Sequence, residues 1–260
     1  MHVAEREQLI LKLLEQRGFI GFQELDQKLD ASAATIRRDL ERMAAQGLIE
    51  RVRGGAKLPA LEGGLGEKQN LTGISFHENL SLNRSQKEAI GRAAAALCAP
   101  GEAVIIDGGS TTLQMCPHLE PLGLQVLTNS LHIVSALLQQ PSTRVSVPAG
   151  GLFREQNIIL SPFEDDGMGR FHATRLFMGA ASVGRHGLMQ ADTLLVQAER
   201  RLLDRAEEIV VLVDSSKFRG PAGHLVCTLE DIDVVVTDRG VDAADRAMLE
   251  NAGCRVIISD

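Results

Sequence analysis

Six short apolar runs in residues 84–260 each stop at glycine or a polar residue, and helical patterning separates the runs. Val104-Ile105-Ile106 stops at Asp107, Leu124–Leu127 at Thr128-Asn129-Ser130, and Val145–Pro148 at Ala149-Gly150-Gly151. Leu176-Phe177-Met178 stops at Gly179-Ala180-Ala181, Glu208–Val213 at Asp214-Ser215-Ser216-Lys217, and Val234–Thr237 at Asp238. Apolar runs of this kind fit strands buried on both faces, and their alternation with helices marks a mostly parallel α/β sheet. Ligands of open α/β sheets bind beyond the carboxyl ends of the strands. The recurring polar exits are what a shared pocket along one sheet edge requires.

The segment before residue 58 follows a different rule. Leu9, Ile10, Leu13 and Leu14 form a helical stripe, with Gly18 as its end; Phe22, Leu25 and Leu29 form a second. Asp30-Ala31-Ser32 reads as a turn, with Ser32 an N-cap for a third helix carrying Ile36, Leu40 and Met43 inward. At 100° per residue Arg38 then lies nearly opposite Ile36, with Thr35, Arg37 and Arg42 on the flanks. Gly47 closes that helix, and Leu48–Arg53 reads as a strand entering the turn Gly54-Gly55. The pattern predicts a winged helix-turn-helix whose third helix fits a DNA major groove, with Arg51 and Arg53 on a wing; the expected DNA-binding set is Ser32, Thr35, Arg37, Arg38, Arg42, Arg51 and Arg53. A small helical bundle with a basic surface is the alternative. The expected domains are residues 1–57, a Gly/Pro/Asn/Ser-rich linker over 58–83, and an α/β domain over 84–260.

Charge supports this division. The 260-residue chain has net charge −7, yet residues 31–60 carry six basic and three acidic side chains. A basic patch on an acidic body fits a local duplex footprint. Aromatic residues make up 3% of the chain, with no Trp or Tyr, which argues against a stacking platform for single strands. No pair among Cys98, Cys116, Cys227 and Cys254 has metal-ligand spacing, so neither metal nor cofactor is expected. Cys98, Cys116 and Cys254 sit among small or apolar residues and read as buried thiols. MHVAEREQLI lacks a signal-peptide core, and no apolar run approaches a membrane span. A cytoplasmic protein without a membrane partner is expected.

Gly108-Gly109-Ser110-Thr111-Thr112 follows the strand at Ile106 and opens a helix. Such a turn offers free N–H groups, hydroxyls and a positive dipole end to an anion such as phosphate. It is neither a Walker loop nor a dinucleotide fingerprint; an ordinary tight turn is the alternative. Lys217 is the cation best placed to pair with a phosphate or carboxylate, or else a surface-loop lysine. His172, His186 and His224 sit in polar loops and read as solvated. No acid/base team shows a recognisable spacing, and no catalytic residue is assigned.

ATIRRDLERMAAQGLIERVRGGA, residues 34–56, resembles the signature of the DeoR family of regulators. The resemblance implies that Thr35, Arg37, Arg38 and Arg53 contact operator DNA, and that Asp39 is structural and orients an arginine. It extends through Asp107–Thr112, Thr128-Asn129, Gly150-Gly151, Gly179-Ala180 and Asp214–Phe218, nearly the whole chain. It implies a sensor domain similar to ribose-5-phosphate isomerase and a small-molecule effector: a phosphorylated sugar, polyol or sugar acid. It also implies a homo-oligomer, dimer or tetramer, on double-stranded operator repeats. The effector set is then Asp107, Gly108, Gly109, Ser110, Thr111, Thr112, Asn129, Gly150, Gly151, Gly179, Glu199 and Lys217. Two features depart from the family's common pattern. Ser110 stands where many members have Thr, and Glu199, flanked by Arg200 and Arg201, stands where many have a basic residue, which favours a ligand with fewer negative charges. Residues 161–167 are similar to a subgroup resembling ascorbate- and polyol-utilisation repressors. The expected function is a repressor of a sugar or polyol catabolic operon, relieved by its effector. The alternatives are an isomerase-like enzyme, with Asp107 or Glu199 as base and Lys217 as electrophile, and an activator or architectural DNA binder.

Overall fold

Apolar residues at helical spacing close the first unit around a small core. The computed structural model describes residues 3–17, 19–29, 31–45, 48–52, 55–57, 76–154, 156–161, 166–221 and 223–260. Gly18, Asp30, Gly47, Arg53 and Gly54 of the sequence pattern lie outside these residues. The chain divides into two units, Met1–Lys68 and Gln69–Asp260. The first contains α1 (Val3–Arg17), β1 (Phe19–Gly21), α2 (Phe22–Lys28), α3 (Ala33–Ala45), β2 (Glu50–Val52) and β3 (Gly55–Lys57). Ile10, Leu14, Leu25, Ile36, Leu40 and Met43 are buried together, as the helical stripes require. β3 pairs antiparallel with both β1 and β2. The three-residue strand β1 has no legible period, and Gly55, read as turn, begins β3.

In the second unit, α4 (Phe76–Ser81) lies inside the stretch read as linker. Phe76 accounts for it: the ring is buried and stacks on His132, centroids 4.4 Å apart. α5 (Arg84–Ala95) and β4 (Ala103–Ile106) follow, then β5 (Gln125–Leu127), α6 (Leu131–Leu137) and β6 (Arg144–Ser146). A hairpin of β7 (Gly151–Phe153) and β8 (Ile158–Leu160) leads to β9 (Ala173–Met178). β10 (Ser182–Gly184), β11 (Gly187–Gln190), α7 (Thr193–Leu203) and β12 (Ala206–Leu212) come next. β13 (His224–Cys227), β14 (Val234–Asp238), α8 (Ala243–Asn251) and β15 (Arg255–Ser259) complete the chain.

Seven strands form one sheet in the order β15-β14-β12-β9-β4-β5-β6, and every neighbouring pair is parallel. Side chains alternate between two buried clusters: Val104 and Ile106 enter one, Ile105 the other; Val234 and Val236 enter one, Val235 the other. Both faces are covered, which is why these strands read as unbroken apolar runs. The α-helix expected after Gly108–Thr112 is instead a 3₁₀ helix, Thr112–His118. Pro117 within it supplies no N–H and disfavours helical geometry just before itself, so a regular α-helix is not sustained. All four cysteines are buried thiols, and burial pushes those of Cys98, Cys116 and Cys227 up to about 12.

One buried carboxylate fastens the helices of the first unit. Asp39, on α3, accepts from Arg6 Nε at 2.6 Å and Nη2 at 3.2 Å, and from Arg42 Nη2 at 2.5 Å. Arg42 also donates to Glu7 at 2.8 Å, so α1 and α3 are joined twice. Burial pushes the Asp39 carboxyl up, but hydrogen bonds from Arg6 and then Arg42 outweigh it and hold it below its usual value. A carboxyl depressed on folding stabilises above its unfolded pKa near 3.9, and that contribution disappears as pH falls through the folded value. Removing one partner of a buried pair costs about 3–5 kcal/mol. Asp39→Ala is therefore expected to lower the denaturation midpoint of the first unit strongly at pH 7, with the difference from wild type narrowing below about pH 4. Equal midpoints at pH 7 would contradict this role.

Candidate functional site

The seven-stranded sheet reverses its direction of growth beside β4. From β4 the chain builds outward through β5 and β6, then returns to β9 on the other flank and builds through β12, β14 and β15. The loops leaving β4 and β9 therefore diverge, and a crevice opens beyond their carboxyl ends. A cavity of about 220 Å³ occupies this place. That is far more than the ~10–15 Å³ one water needs. Asp107–Thr111 after β4, Asn129 after β5 and Gly179–Ala181 after β9 line it, with Gln190, Glu199 and Lys217.

Asn129 locks the loop after β4. Its Nδ2 donates to Asp107 Oδ1 at 2.8 Å, and its Oδ1 accepts from the Gly108 N–H at 2.9 Å. A Cβ at Gly108 would lie 2.6 Å from Ile158 Cγ2, so only glycine lets the loop approach so closely. Thr112 is fully buried and donates to the Asp107 carbonyl at 2.7 Å; it braces the loop and does not line the cavity. The N–H groups of Gly109, Ser110 and Thr111 donate to no other described residue. These three consecutive N–H groups are therefore left available beside the cavity.

Three ionisable side chains meet at the cavity. Burial pushes the Asp107 carboxyl up to about 6, against opposing hydrogen bonds from Asn129 and Gly108. Burial, and then repulsion from Asp107, pushes Glu199 well above the usual carboxylate range. Glu199 accepts from Gln190 Nε2 at 2.6 Å. No spacing along the chain pairs these two acids, because they leave different elements and meet only through the sheet. Lys217 sits in the 3₁₀ helix Ser215–Arg219, which Asp214 caps by accepting from the Ser216 N–H at 3.1 Å.

Sequence reasoning passes over Lys87. It is 1% exposed on α5, and its ammonium donates to the Asn79 carbonyl and, at 3.1 Å, to Asn79 Oδ1. Burial lowers its pKa to about 8, opposed by the Asp214 carboxylate and reinforced by the Lys217 charge. The legible signal is a lysine three residues before Ile90 and seven before Ala94, on the buried face of α5. Asn79 itself lines the cavity.

Other expected site residues lie elsewhere. Gly150 and Gly151 do not line the cavity. A Cβ at Gly150 would fall 2.4 Å from the Leu160 carbonyl oxygen, so this glycine serves the close approach of β8. Asp238 holds the Ser215 N–H at 2.6 Å and also stays out of the lining.

In the first unit, Ser32 Oγ accepts from the Thr35 N–H at 3.2 Å at the start of α3, as the capping pattern predicts. Arg38 is exposed and, among the described residues, has no hydrogen-bond or ion-pair partner. Arg37 is exposed with its guanidinium 5.1 Å from the Phe22 ring centroid. Arg42 is committed to Asp39 and Glu7, unlike the free flank residue expected. Arg51 pairs with Glu41 at 3.0 Å on the surface, a contact worth little in water.

Residues 82–239 match the family model described as the DeoR C terminal sensor domain, and residues 6–61 match the DeoR-like helix-turn-helix domain. The chain is 30% identical over 257 residues to the HTH-type transcriptional regulator UlaR of Shigella dysenteriae serotype 1 (strain Sd197), covering 99% of each protein. The same identity and coverage hold for UlaR of Escherichia coli O9:H4 (strain HS). Among solved structures, ribose 5-phosphate isomerase A from Methanocaldococcus jannaschii aligns at 19% identity and TM-score 0.39, over 52% of this chain and 54% of that one. The probable sor operon regulator from Shigella flexneri aligns at 11% identity and TM-score 0.43, over 64% and 89%.

Asp107 yields a pH-dependent test. A carboxyl raised on folding favours the native state only when protonated; ionised, it opposes folding by about 1.4 kcal/mol for each tenfold gain in proton affinity. With its pKa at about 6, that opposition is complete above neutrality and fades as pH falls through 6 toward 4. Asp107→Asn is expected to raise the melting temperature at pH 7.5, with the gain shrinking between pH 6 and 4. A variant less stable than wild type at pH 7.5 would show that the ionised group is fully compensated.

Proposed function

The chain belongs to the DeoR family of DNA-binding transcriptional regulators, and we propose that it represses a sugar or polyol catabolic operon until a phosphorylated metabolite occupies the second unit. The observation that carries this reading is the run of unpartnered N–H groups of Gly109, Ser110 and Thr111 in a cavity that Lys217 also lines, at the reversal of strand order; we read it as an anion site. A phosphate accepts from several N–H groups at once and pairs with an ammonium. The carboxylates elsewhere in the cavity suit the polar remainder of the ligand better than a second anion. In the first unit, Arg38 is exposed and without a described partner, which leaves it free for a base edge or phosphate; Thr35, Arg37 and Arg51 are further candidate contacts, the family resemblance adds Arg53, and Arg42 orients the helix. Operator half-sites demand paired readers, so the working form is a homo-oligomer.

Induction needs a ligand that prefers one of two protein arrangements, with a coupling of about 1–3 kcal/mol. The meeting of Asp107 and Glu199 in a cavity that Lys217 also lines favours a second reading, retained isomerase chemistry, because paired acids of unequal proton affinity can move a proton. Turnover of ribose 5-phosphate by the purified protein would support it; the regulator reading expects none.

Two substitutions separate the roles of the units. Arg38→Ala is expected to weaken operator binding by about 1–3 kcal/mol. Lys217→Ala is expected to leave operator affinity intact while abolishing its response to sugar phosphates. Gel-shift titrations with and without ribose 5-phosphate or sorbitol 6-phosphate measure both. Unaltered operator affinity in Arg38→Ala, or lost operator affinity in Lys217→Ala, would contradict the assignment.

A further inference from the structure

One atom of the cavity lacks what its surroundings demand. Glu199 is 4% exposed, and its Oε1 is satisfied by Gln190. Its Oε2 is buried without a hydrogen-bond partner among the described residues. A buried carboxyl oxygen left unpaired bears its desolvation penalty without compensation. The neighbouring buried side chains are by contrast matched: Asp107 to Asn129, and Asn129 to Gly108. The residue with the unmatched atom lines the cavity, where a small molecule can supply a partner.

We propose that Glu199 is the specificity residue of this site, and that its Oε2 binds a hydroxyl of a polyhydroxylated phosphate ester. The inference rests on the reading of the Gly109–Thr111 N–H groups and Lys217 as the phosphate end. A hydroxyl is selected because it both donates and accepts. It satisfies Oε2 whether the carboxyl is ionised or protonated. An ammonium requires the ionised form and a second carboxylate on the ligand requires the protonated one. Repulsion from Asp107 and full burial hold Glu199 toward protonation, which disfavours the ammonium. Near neutrality the Glu199 acid and a ligand hydroxyl can hydrogen-bond with no net charge added to the buried site.

Calorimetric titration of the full chain with sorbitol 6-phosphate, hexyl phosphate, glucosamine 6-phosphate and inorganic phosphate tests this. The wild type is expected to bind sorbitol 6-phosphate at least ten-fold more tightly than hexyl phosphate, which has no hydroxyl. Glu199→Leu is expected to erase that preference, a loss of about ten- to hundred-fold for sorbitol 6-phosphate, with inorganic phosphate affinity unchanged. Glu199→Gln keeps an acceptor for Gln190 and a polar group in place of Oε2, so it is expected to keep most of the preference. Equal binding of sorbitol 6-phosphate and hexyl phosphate by the wild type overturns the assignment without any variant. So does a preference for glucosamine 6-phosphate that Glu199→Gln abolishes. If no phosphate compound binds the wild type, the phosphate-end reading fails and takes this inference with it. If phosphate binds and only the hydroxyl preference is missing, the inference alone fails.

Discussion

The cavity lies where a parallel sheet with both faces buried changes its direction of growth once. β4 and β9 are neighbours in the sheet, although β5 to β8 intervene in the chain. Helices and loops must leave these two strands in opposite senses, so the space beyond their carboxyl ends is left uncovered. Unbroken burial makes the strands rigid. The loop after β4 is therefore held on a fixed base, and Asn129, Thr112 and Ile158 fix its path.

The polar groups at this edge divide into two kinds. Some hold the loops in place: Asp214 accepts from Asn83 at 2.9 Å and caps the helix bearing Lys217, and Asp238 holds Ser215. Others oppose folding. Asp107 and Glu199 are both buried acids lining the cavity, pushed up by burial, and Asp107 further disfavours the charge of Glu199. Ionisable groups perturbed in this way within a cavity mark a candidate functional site. The first unit shows the contrast. Asp39 is equally buried, but two guanidiniums surround it, and its carboxyl is depressed.

Legibility in the sequence follows the range of each interaction. The parallel strands and the third helix are legible because burial on two faces, or on one helical stripe, writes a period into neighbouring residues. Gly109–Thr111, Asn129, Gly179 and Lys217 stand out because each follows an apolar run. The short antiparallel strands β7, β8, β10 and β11 carry too few residues to show a period. α4 is hidden because its six residues, Phe76 and Leu80 among polar neighbours, are too few to show a helical period. Arg42 reads as a free flank because its partner Glu7 lies 35 residues away. Gly150 reads as a ligand contact because close approach of a strand and close approach of a ligand demand the same residue.

The central claim is that the strand-order reversal holds a phosphate on backbone N–H groups and one lysine. A crystal structure of the protein grown with ribose 5-phosphate tests it directly. The account predicts phosphate oxygens within hydrogen-bond distance, about 2.7–3.2 Å, of the Gly109–Thr111 N–H groups and of Lys217 Nζ. A phosphate seated away from that loop, with the Gly109–Thr111 N–H groups turned to solvent, would contradict it.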